Sequence, residues 1–544
     1  MQKIKRLTAF VDCARNSVLT VKSFKKLIDY FAAFGYTALE IYTEDVFEVE
    51  NEEMLGYLRG KYSKDELKEL VAYGESKGIE LIPCIETLAH LEHIFRWKEY
   101  AGIKDIDNIL LVDEPRTYEF LENMFKTIRE CFKSDTVDVC YDEAHYVGLG
   151  KYLDKHGYCD RYELLGRHLK RVCDLAKKYG FTPFVDSDMF YTMASGGNYY
   201  CYNQPDIITP EIASLMPENA IVTYWDYFVG TENCKKMIKS HENFKRPIRF
   251  LASINNWGAF SPRMPSAISW LKTSMAACIE AGITDIGIAG FGDDGGENSY
   301  FANLPSYLVA AEYSRGNFDL ESIKEKFKNI VGYHFDDFMK LCYPTYYRET
   351  DYLRNFNSEK IFLFNDVFCG IYDDLVCYAE KQMEEKYPTY IEELNEAEKT
   401  AGEYAYLFSF AADLCDVLRI KYNLGVKTRS AYKSGNKELL KELLPVYDET
   451  IRRVEKAYYS FRKVWYTERK GNGFEVQDIR FGGLERRLKN CKQILSDYIN
   501  GEIEKIEELE EDIKQLHEET ELSQRNWGKI VTVNSLTHFN FFGI

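Results

Sequence analysis

The chain has 544 residues, 45% of them hydrophobic and 15% aromatic, with a formal net charge of −18 and a pI of about 5.2. Such length and apolar content exclude a disordered chain and suit two or more domains with sizeable cores. The acidic balance excludes the basic footprint that nucleic acid or an anionic membrane surface would need, so a neutral substrate is the simpler expectation.

The first stretch, MQKIKRLTAFVDCARN, places basic residues before a short apolar run that Asp12 interrupts, so a secretory leader is not expected. No segment approaches 18 uninterrupted apolar residues, the length a membrane-spanning helix needs. The 14 cysteines lack CxxC spacing and read as reduced thiols of a cytoplasmic protein, with no metal site and no cofactor expected.

To about residue 315, short β-prone runs alternate with amphipathic helical stretches. The runs are LTAFVD (7–12), TALEIY (37–42), IELIPC (79–84), TVDVCY (136–141), FTPFVD (181–186), AIVTYW (220–225), IRFLAS (248–253) and DIGIAG (285–290). Helical periodicity fills the intervals, for example VKSFKKLIDYFAAFG and YELLGRHLKRVCDLAKKYG, with Gly35, Gly78, Gly180 and Gly282 where C-caps belong. Eight strand–helix units predict an α/β fold, a parallel (β/α)8 TIM barrel, over residues 1–317. A doubly wound open sheet is the competitor, but CARNS follows the first strand where a glycine-rich phosphate loop would stand.

After about residue 318 long helical periods take over, predicting an α-helical domain over 318–544. They include LESIKEKFKNIVGYHFDDFMKL, then IEELNEAEKTAGEYAYLFSFAADLCDVLRIKY, then KELLKELLPVYDETIRRVEKAYYSFRKVWYTERK. The stretch 502–518 carries Ile503, Ile506, Leu509, Ile513 and Leu516 at helical spacing, and 527–542 reads as a β-like tail.

Barrel chemistry sits at the C-terminal ends of the strands. Those ends carry Asp12 and Arg15, Glu44 and Asp45, Glu86 and His90, Asp142 and Glu143, Asp186 and Asp188, Trp225 to Tyr227, Asn255 and Trp257, and Phe291 to Asp294. In DVCYDEAHYVGLGKY two carboxylates are neighbours. Adjacent strand residues point to opposite faces, so both reach one pocket only from irregular backbone beyond the strand.

These blocks resemble glycoside hydrolase family 20, the β-N-acetylhexosaminidases, and in particular a bacterial branch with a C-terminal helical domain. The likeness runs in order through DCARNSVLTV, GYTALEIYTEDVFEVENEEMLGYLRGKYS, YDEAHYVGLGKYLD, SDMFY, YWDYF, FGDDGGE and GFEVQDIRFGGLERRL. It implies that the family's small N-terminal α/β domain is absent, because the first strand begins almost at Met1. It also implies hydrolysis of terminal β-linked GlcNAc or GalNAc by substrate-assisted retention, in which the 2-acetamido oxygen attacks the anomeric carbon to form an oxazolinium ion. Glu143 would be the general acid and base, and Asp142 would hold the acetamide N–H. Asp45 and His90 would form a relay to Glu143. Arg15 would grip sugar hydroxyls, Asp293 would accept from one, and Tyr227, with Tyr224 as the nearby alternative, would steady the acetamide oxygen. Trp225 and Trp257 would wall the pocket. A homodimer is compatible with the helical domain as a family-level expectation.

The chain departs from the family pattern where it usually has tryptophans: Asp186, Asn255 and Phe291 stand there instead, and bulky Tyr141 precedes the acidic pair. Each lost ring removes on the order of 150–250 Å² of apolar wall. Altered specificity, with Asp186 and Asn255 as added hydrogen-bonding groups, is one reading; a weak or inactive carbohydrate-binding barrel is the alternative. A third, an enzyme on a non-acetylated sugar, would need Asp186 or Asp188 as nucleophile.

Overall fold

The computed structural model of the chain describes residues 4–197, 202, 204–346 and 359–514. Eight parallel strands close into a barrel in sequence order: β1 (Arg6–Asp12), β2 (Ala38–Tyr42), β3 (Glu80–Cys84), β4 (Thr136–Asp138), β5 (Thr182–Asp186), β6 (Ile221–Trp225), β7 (Ile248–Ser253) and β8 (Asp285–Gly290). The barrel closes between β1 and β8, with Arg6 opposite Asp285 and Val11 opposite Gly290. Strands covered on both faces can be continuously apolar, and β2 is buried along its whole length.

Local signals set the helices between strands. Thr20 caps helix Val21–Phe34 by accepting from the Ser23 amide at 3.1 Å, and Gly35 ends it in the left-handed region at φ 86°. Ser63 and Glu66 form a reciprocal capping box on helix Lys64–Ser76. Asp160 does the same work for helix Arg161–Lys178, accepting from the amides of Tyr162 and Glu163.

The barrel interior is not uniformly apolar. Arg249 of β7 is fully buried, with Nη2 2.7 Å from Glu40 of β2 and Nη1 2.9 Å from Asp138 of β4. Its guanidinium carbon lies 4.1 Å from the centroid of the Phe184 ring. Gly287 makes room for it, since a Cβ there would stand 2.6 Å from Arg249 Nη2. Burial pushes Glu40 up to about 7 against the pull of Arg249. Toward the strand C-termini the filling turns apolar, with Phe10, Tyr42, Cys84, Cys140, Leu251 and Ala289 packed beside Trp225 and Phe291.

The chain divides into two compact units. The first holds Met1–Asn255, Ala267–Gly292 and Ser306–Val331; the second holds Asn256–Ser266, Asp293–Pro305 and Gly332–Ile544. The second unit is helical, dominated by Ala405–Lys421, Lys437–Glu468 and Glu475–Asn500. Phe260 packs edge-on to Phe461 at 5.0 Å and lies 5.8 Å from Phe481. Buried Lys360 pairs with Asp294 at 3.0 Å and with Glu297, and Arg480 bonds the same two carboxylates at 3.1 and 2.6 Å.

Two helical expectations are corrected. The period over 320–341 is broken at Gly332, φ 87°, into Leu320–Val331 and Phe335–Met339. Of the period expected over 502–518, residues 515–518, Leu516 among them, lie outside the described residues; over 502–514 the structure has the turn Glu507–Glu510, because Gly501 at φ 78° ends the preceding helix, and Ile506 and Leu509 are buried while Ile503 and Ile513 are half-buried. The β-like tail over 527–542 lies outside the described residues. No disulfide joins the described cysteines, and no described helix is long and apolar enough to cross a membrane.

Arg249→Met leaves two carboxyls buried without their cation. The expected cost is on the order of 3–5 kcal/mol, read as a lowered urea midpoint by circular dichroism. An unchanged midpoint would show that the buried ion triad is dispensable.

Candidate active site

The ends of the strands leave regular geometry abruptly. Asn16 after β1, Glu44 after β2, His90 after β3, Cys140, Tyr141 and Glu143 after β4, and Asn255 after β7 all have φ between 43° and 89°. Non-glycine residues there are costly and persist only where surrounding contacts hold them.

The turn after β4 shows how. The strand stops at Asp138, three residues short of the expected end, because Cys140 and Tyr141 turn left-handed at 54° and 89°. Asp138 Oδ1 accepts from the Cys140 amide at 2.8 Å. Tyr141 is turned away into the core, its hydroxyl donating to the Leu165 carbonyl at 2.5 Å and its ring stacked on His168. The Glu143 amide donates to Asp188 Oδ2 at 3.0 Å. The result is that Asp142 Oδ2 and Glu143 Oε2 lie 3.4 and 3.5 Å from one atom, His90 Nε2.

On its other side His90 Nδ1 is 3.4 Å from Arg15 Nη2. Arg15 Nε is 3.1 Å from Glu44 Oε1, and Asp12 Oδ1 accepts from the Arg15 amide at 3.2 Å. Asp12 Oδ2 also accepts from the Gly292 amide at 2.8 Å, tying the loops after β1 and β8. The Tyr42 hydroxyl lies 2.8 Å from both Glu44 Oε1 and Glu86 Oε1.

Burial disfavours the His90 imidazolium, but the carboxylates of Asp142 and then Glu86 together outweigh it and hold the pKa well above the usual histidine value. Burial likewise disfavours the Asp142 carboxylate, and His90 more than offsets that, so Asp142 sits below the ordinary aspartate range. Burial, then the carboxylates of Asp138, Asp142 and Asp188, push Asp186 well up. Oxygen or sulfur atoms of Cys140, Asp142 and Asp186 lie within 4.8 Å of one another. Ligand atoms of Glu86, His90 and Asp142 approach as closely.

The expected relay differs in its first link. Asp45 is claimed by Arg59, whose Nε lies 2.9 Å from Oδ2 and 3.1 Å from Oδ1. His90 faces Arg15, Asp142 and Glu143 instead, because the loop after β2 turns at Glu44 and aims that residue, not Asp45, at the arginine. Tyr227 stands among half-buried aromatics, stacked on Trp225 at 5.3 Å and 6.1 Å from Phe291. Tyr224, one strand register earlier, is buried against His241 and donates to Asp226. Phe291 packs on Phe10 at 4.7 Å. Asn255 is fully buried, its amide donating to Ser253 Oγ at 2.9 Å. Trp257 and Asp293 belong to the second unit, where the Gly258 amide donates to the Asp293 carbonyl and Arg263 lies over the Trp257 ring. Buried Asp142 Oδ1, Asp186 Oδ1 and Trp225 Nε1 have no hydrogen-bond partner among the described residues. The sequence places Glu44, Glu86 and Asp188 on the rim but gives the first two no task; the signal is their position two residues past a strand end.

Residues 8–244 match the catalytic domain of glycosyl hydrolase family 20, and residues 336–527 match the glycoside hydrolase 20C C-terminal domain. Human hexosaminidase D is 24% identical over 179 residues, 31% of this chain and 37% of that protein. The β-hexosaminidase of Vibrio furnissii is 26% identical over 174 residues, 29% of this chain and 27% of that protein. The chain thus spans well under half the length of these curated relatives. Among solved structures, the β-N-acetylhexosaminidase from Bacteroides fragilis NCTC 9343 is similar over 61% of this chain and 71% of its own, at 18% identity and TM-score 0.47. The exo β-N-acetylglucosaminidase from Vibrio harveyi covers 63% and 58%, at 14% identity and TM-score 0.45.

The His90–Asp142 pair has a pH signature. The elevated His90 pKa contributes stability below the unfolded histidine value and loses it as pH rises through the folded one; the lowered Asp142 pKa contributes above the unfolded aspartate value and loses it as pH falls. In ¹⁵N NMR titration the His90 imidazole stays protonated above neutrality, and Asp142→Asn moves its midpoint down, since burial then meets less opposition. An unmoved midpoint refutes the pairing.

Proposed function

This chain belongs to glycoside hydrolase family 20, and we propose that it is an exo-acting β-N-acetylhexosaminidase removing terminal β-linked GlcNAc or GalNAc by substrate-assisted retention. The observation that carries the reading is the convergence of Asp142 and Glu143, adjacent in sequence, on His90 Nε2 at 3.4 and 3.5 Å. A mechanism without an enzyme nucleophile asks for two neighbouring carboxyls with different tasks.

Glu143 protonates the glycosidic oxygen as the C1–O bond breaks, then takes a proton from the water that opens the oxazolinium ring. Asp142, kept ionised by His90, accepts the acetamide N–H and stabilises the positive charge that spreads over the forming ring. Its partnerless Oδ1 is the atom suited to that bond. Tyr227 donates to the acetamide oxygen and holds it under C1. Arg15 offers its fork to ring hydroxyls, fixed from behind by Glu44. Trp225 and Phe291 supply apolar wall for the pyranose.

Asp186 gives the site its own character. Burial and the neighbouring carboxylates favour its neutral form, which both donates and accepts, as a sugar hydroxyl requires. That supports altered specificity over the family's usual tryptophan-lined pocket. Asp45, paired with Arg59, serves by anchoring the loop that delivers Glu44.

Release of nitrophenol from both N-acetyl-β-hexosaminides tests the reading. Glu143→Gln is expected to lose about 10²–10⁴-fold in kcat, and less with a dinitrophenyl leaving group, which needs little protonation. Equal rates in wild type and Glu143→Gln would remove the acid assignment. Thiazoline, which mimics the oxazolinium ion, is expected to inhibit; indifference to it, or sugar binding without turnover, would favour the binding-barrel alternative.

A further inference from the structure

Two segments bring a thiol and two carboxyls together at the C-terminal end of the barrel. Cys140 and Asp142 stand in the turn after β4, and Asp186 is the last residue of β5. The Asp186 amide donates to the Cys140 carbonyl at 2.8 Å, which fixes the two segments against each other. One sulfur or oxygen atom from each of Cys140, Asp142 and Asp186 lies within 4.8 Å of the other two. Small side-chain rotations bring such a span to the roughly 3.3–3.8 Å between ligand atoms across a tetrahedral zinc. Asp186 is 7% exposed, and its buried Oδ1 has no hydrogen-bond partner among the described residues. Asp142 Oδ1 is in the same condition, while His90 holds the other oxygen at 3.4 Å. Asp138, Asp142 and Asp188 crowd Asp186 with negative charge. Buried oxygens without a partner are costly, and a cation supplies one.

We propose that Cys140, Asp142 and Asp186 form a binding site for zinc, a thiophilic divalent cation, and that zinc and the acetamido sugar exclude each other there. The ligand set selects the metal. Magnesium and calcium take oxygen ligands, whereas a thiolate with two carboxylates suits zinc. Zinc replaces the Cys140 thiol proton and any proton on Asp186, and these leave to solvent. The Asp142 side chain is 21% exposed, so the ion enters from the pocket and a water completes its coordination.

The surroundings support this set over its neighbour. Cys84 Sγ lies 3.5 Å from Cys140 Sγ, placed to donate its S–H to the thiolate from behind. A deeper triad of Cys84, Asp138 and Cys140 approaches as closely, but both Asp138 oxygens are spent, Oδ1 on the Cys140 amide and Oδ2 on Arg249. The cysteines carry no metal-ligand spacing in sequence; the fold assembles the set across β4 and β5. Exclusion of the sugar rests on the reading of Asp142 Oδ1 as the acceptor of the acetamide N–H, whereas the binding of zinc does not.

Two measurements test this on the full-length chain, kept reduced and freed of metal by chelation. The first is a cadmium titration read by the thiolate-to-metal charge-transfer band in the ultraviolet. Wild type is expected to show the band with the first equivalent and to lose it to one equivalent of zinc. Cys140→Ser is expected to lack it; exposed Cys377, present in both proteins, sets the background. Asp186→Asn is expected to bind at least about tenfold more weakly, the scale on which even an outer-shell partner counts. An equal band in wild type and Cys140→Ser overturns the proposal. An affinity unmoved in Asp186→Asn also overturns it, since the metal then sits on the deeper triad; should Cys140→Ser fail to fold, this variant decides alone. The second measurement is zinc inhibition of nitrophenyl N-acetyl-β-hexosaminide hydrolysis. Zinc is expected to raise KM and leave kcat unchanged, and to inhibit Cys140→Ser at least about tenfold less well. A fall in kcat with KM unmoved, or equal inhibition of both proteins, overturns the exclusion. If no hexosaminide is hydrolysed, the hexosaminidase reading fails on its own, and the cadmium band still decides the site.

Discussion

Half-buried Arg15 and buried His90, whose imidazolium the neighbouring carboxylates favour, stand 3.4 Å apart at the C-terminal end of the barrel, and that placement dictates much around them. Like charges taken out of water repel and lose hydration, so each needs an anion at close range. Glu44 answers Arg15 and Asp142 answers His90. Once Asp142 is committed to His90 its backbone position is set, and Glu143 follows because it is the next residue. The spacing of the acidic pair is thus a consequence of charge compensation as much as of the chemistry it serves.

That geometry is held by strain. Seven non-glycine residues at the strand ends of the first unit sit in the left-handed region, each against the intrinsic preference of the chain. The fixtures that keep them there lie outside the pocket: Asp138 on the Cys140 amide, Asp188 on the Glu143 amide, and Tyr141 anchored to Leu165. The bulk of Tyr141 is accounted for by this outward anchoring. Asp138 has a second duty, since its other oxygen holds Arg249 in the barrel interior. One carboxyl therefore couples the ion triad of the core to the turn that carries the acidic pair, and disturbing either should be felt by the other.

The second unit is organised by the same rule of compensated charge. Lys360 is fully buried, and Asp294 and Glu297, on the segment 293–305, enclose it together with Arg480. Asp294, Glu297 and Arg480 fall in the FGDDGGE and GFEVQDIRFGGLERRL blocks on which the family resemblance was read. Their contacts give those blocks a structural reason to be acidic and basic.

Alternation of β-prone runs and amphipathic stretches was enough to determine eight strands in order, closed as a barrel, because period-2 and period-3.6 patterns are local and each strand's burial is written in its own residues. The helical domain was legible for the same reason, except where glycines at 332 and 501 cut a continuing apolar period, since periodicity does not register a left-handed residue. The rim residues could be named from the strand ends, and the acidic pair stood out as neighbours. What the linear order could not decide was which charges meet. Asp45 and Glu44 are adjacent, and only the folded loop gives the first to Arg59 and the second to Arg15. The sharing of Tyr42 between Glu44 and Glu86, and of His90 between Asp142 and Glu143, arises from strands brought side by side. Electrostatic partnership depends on distance and burial, quantities that exist only once the chain has closed on itself.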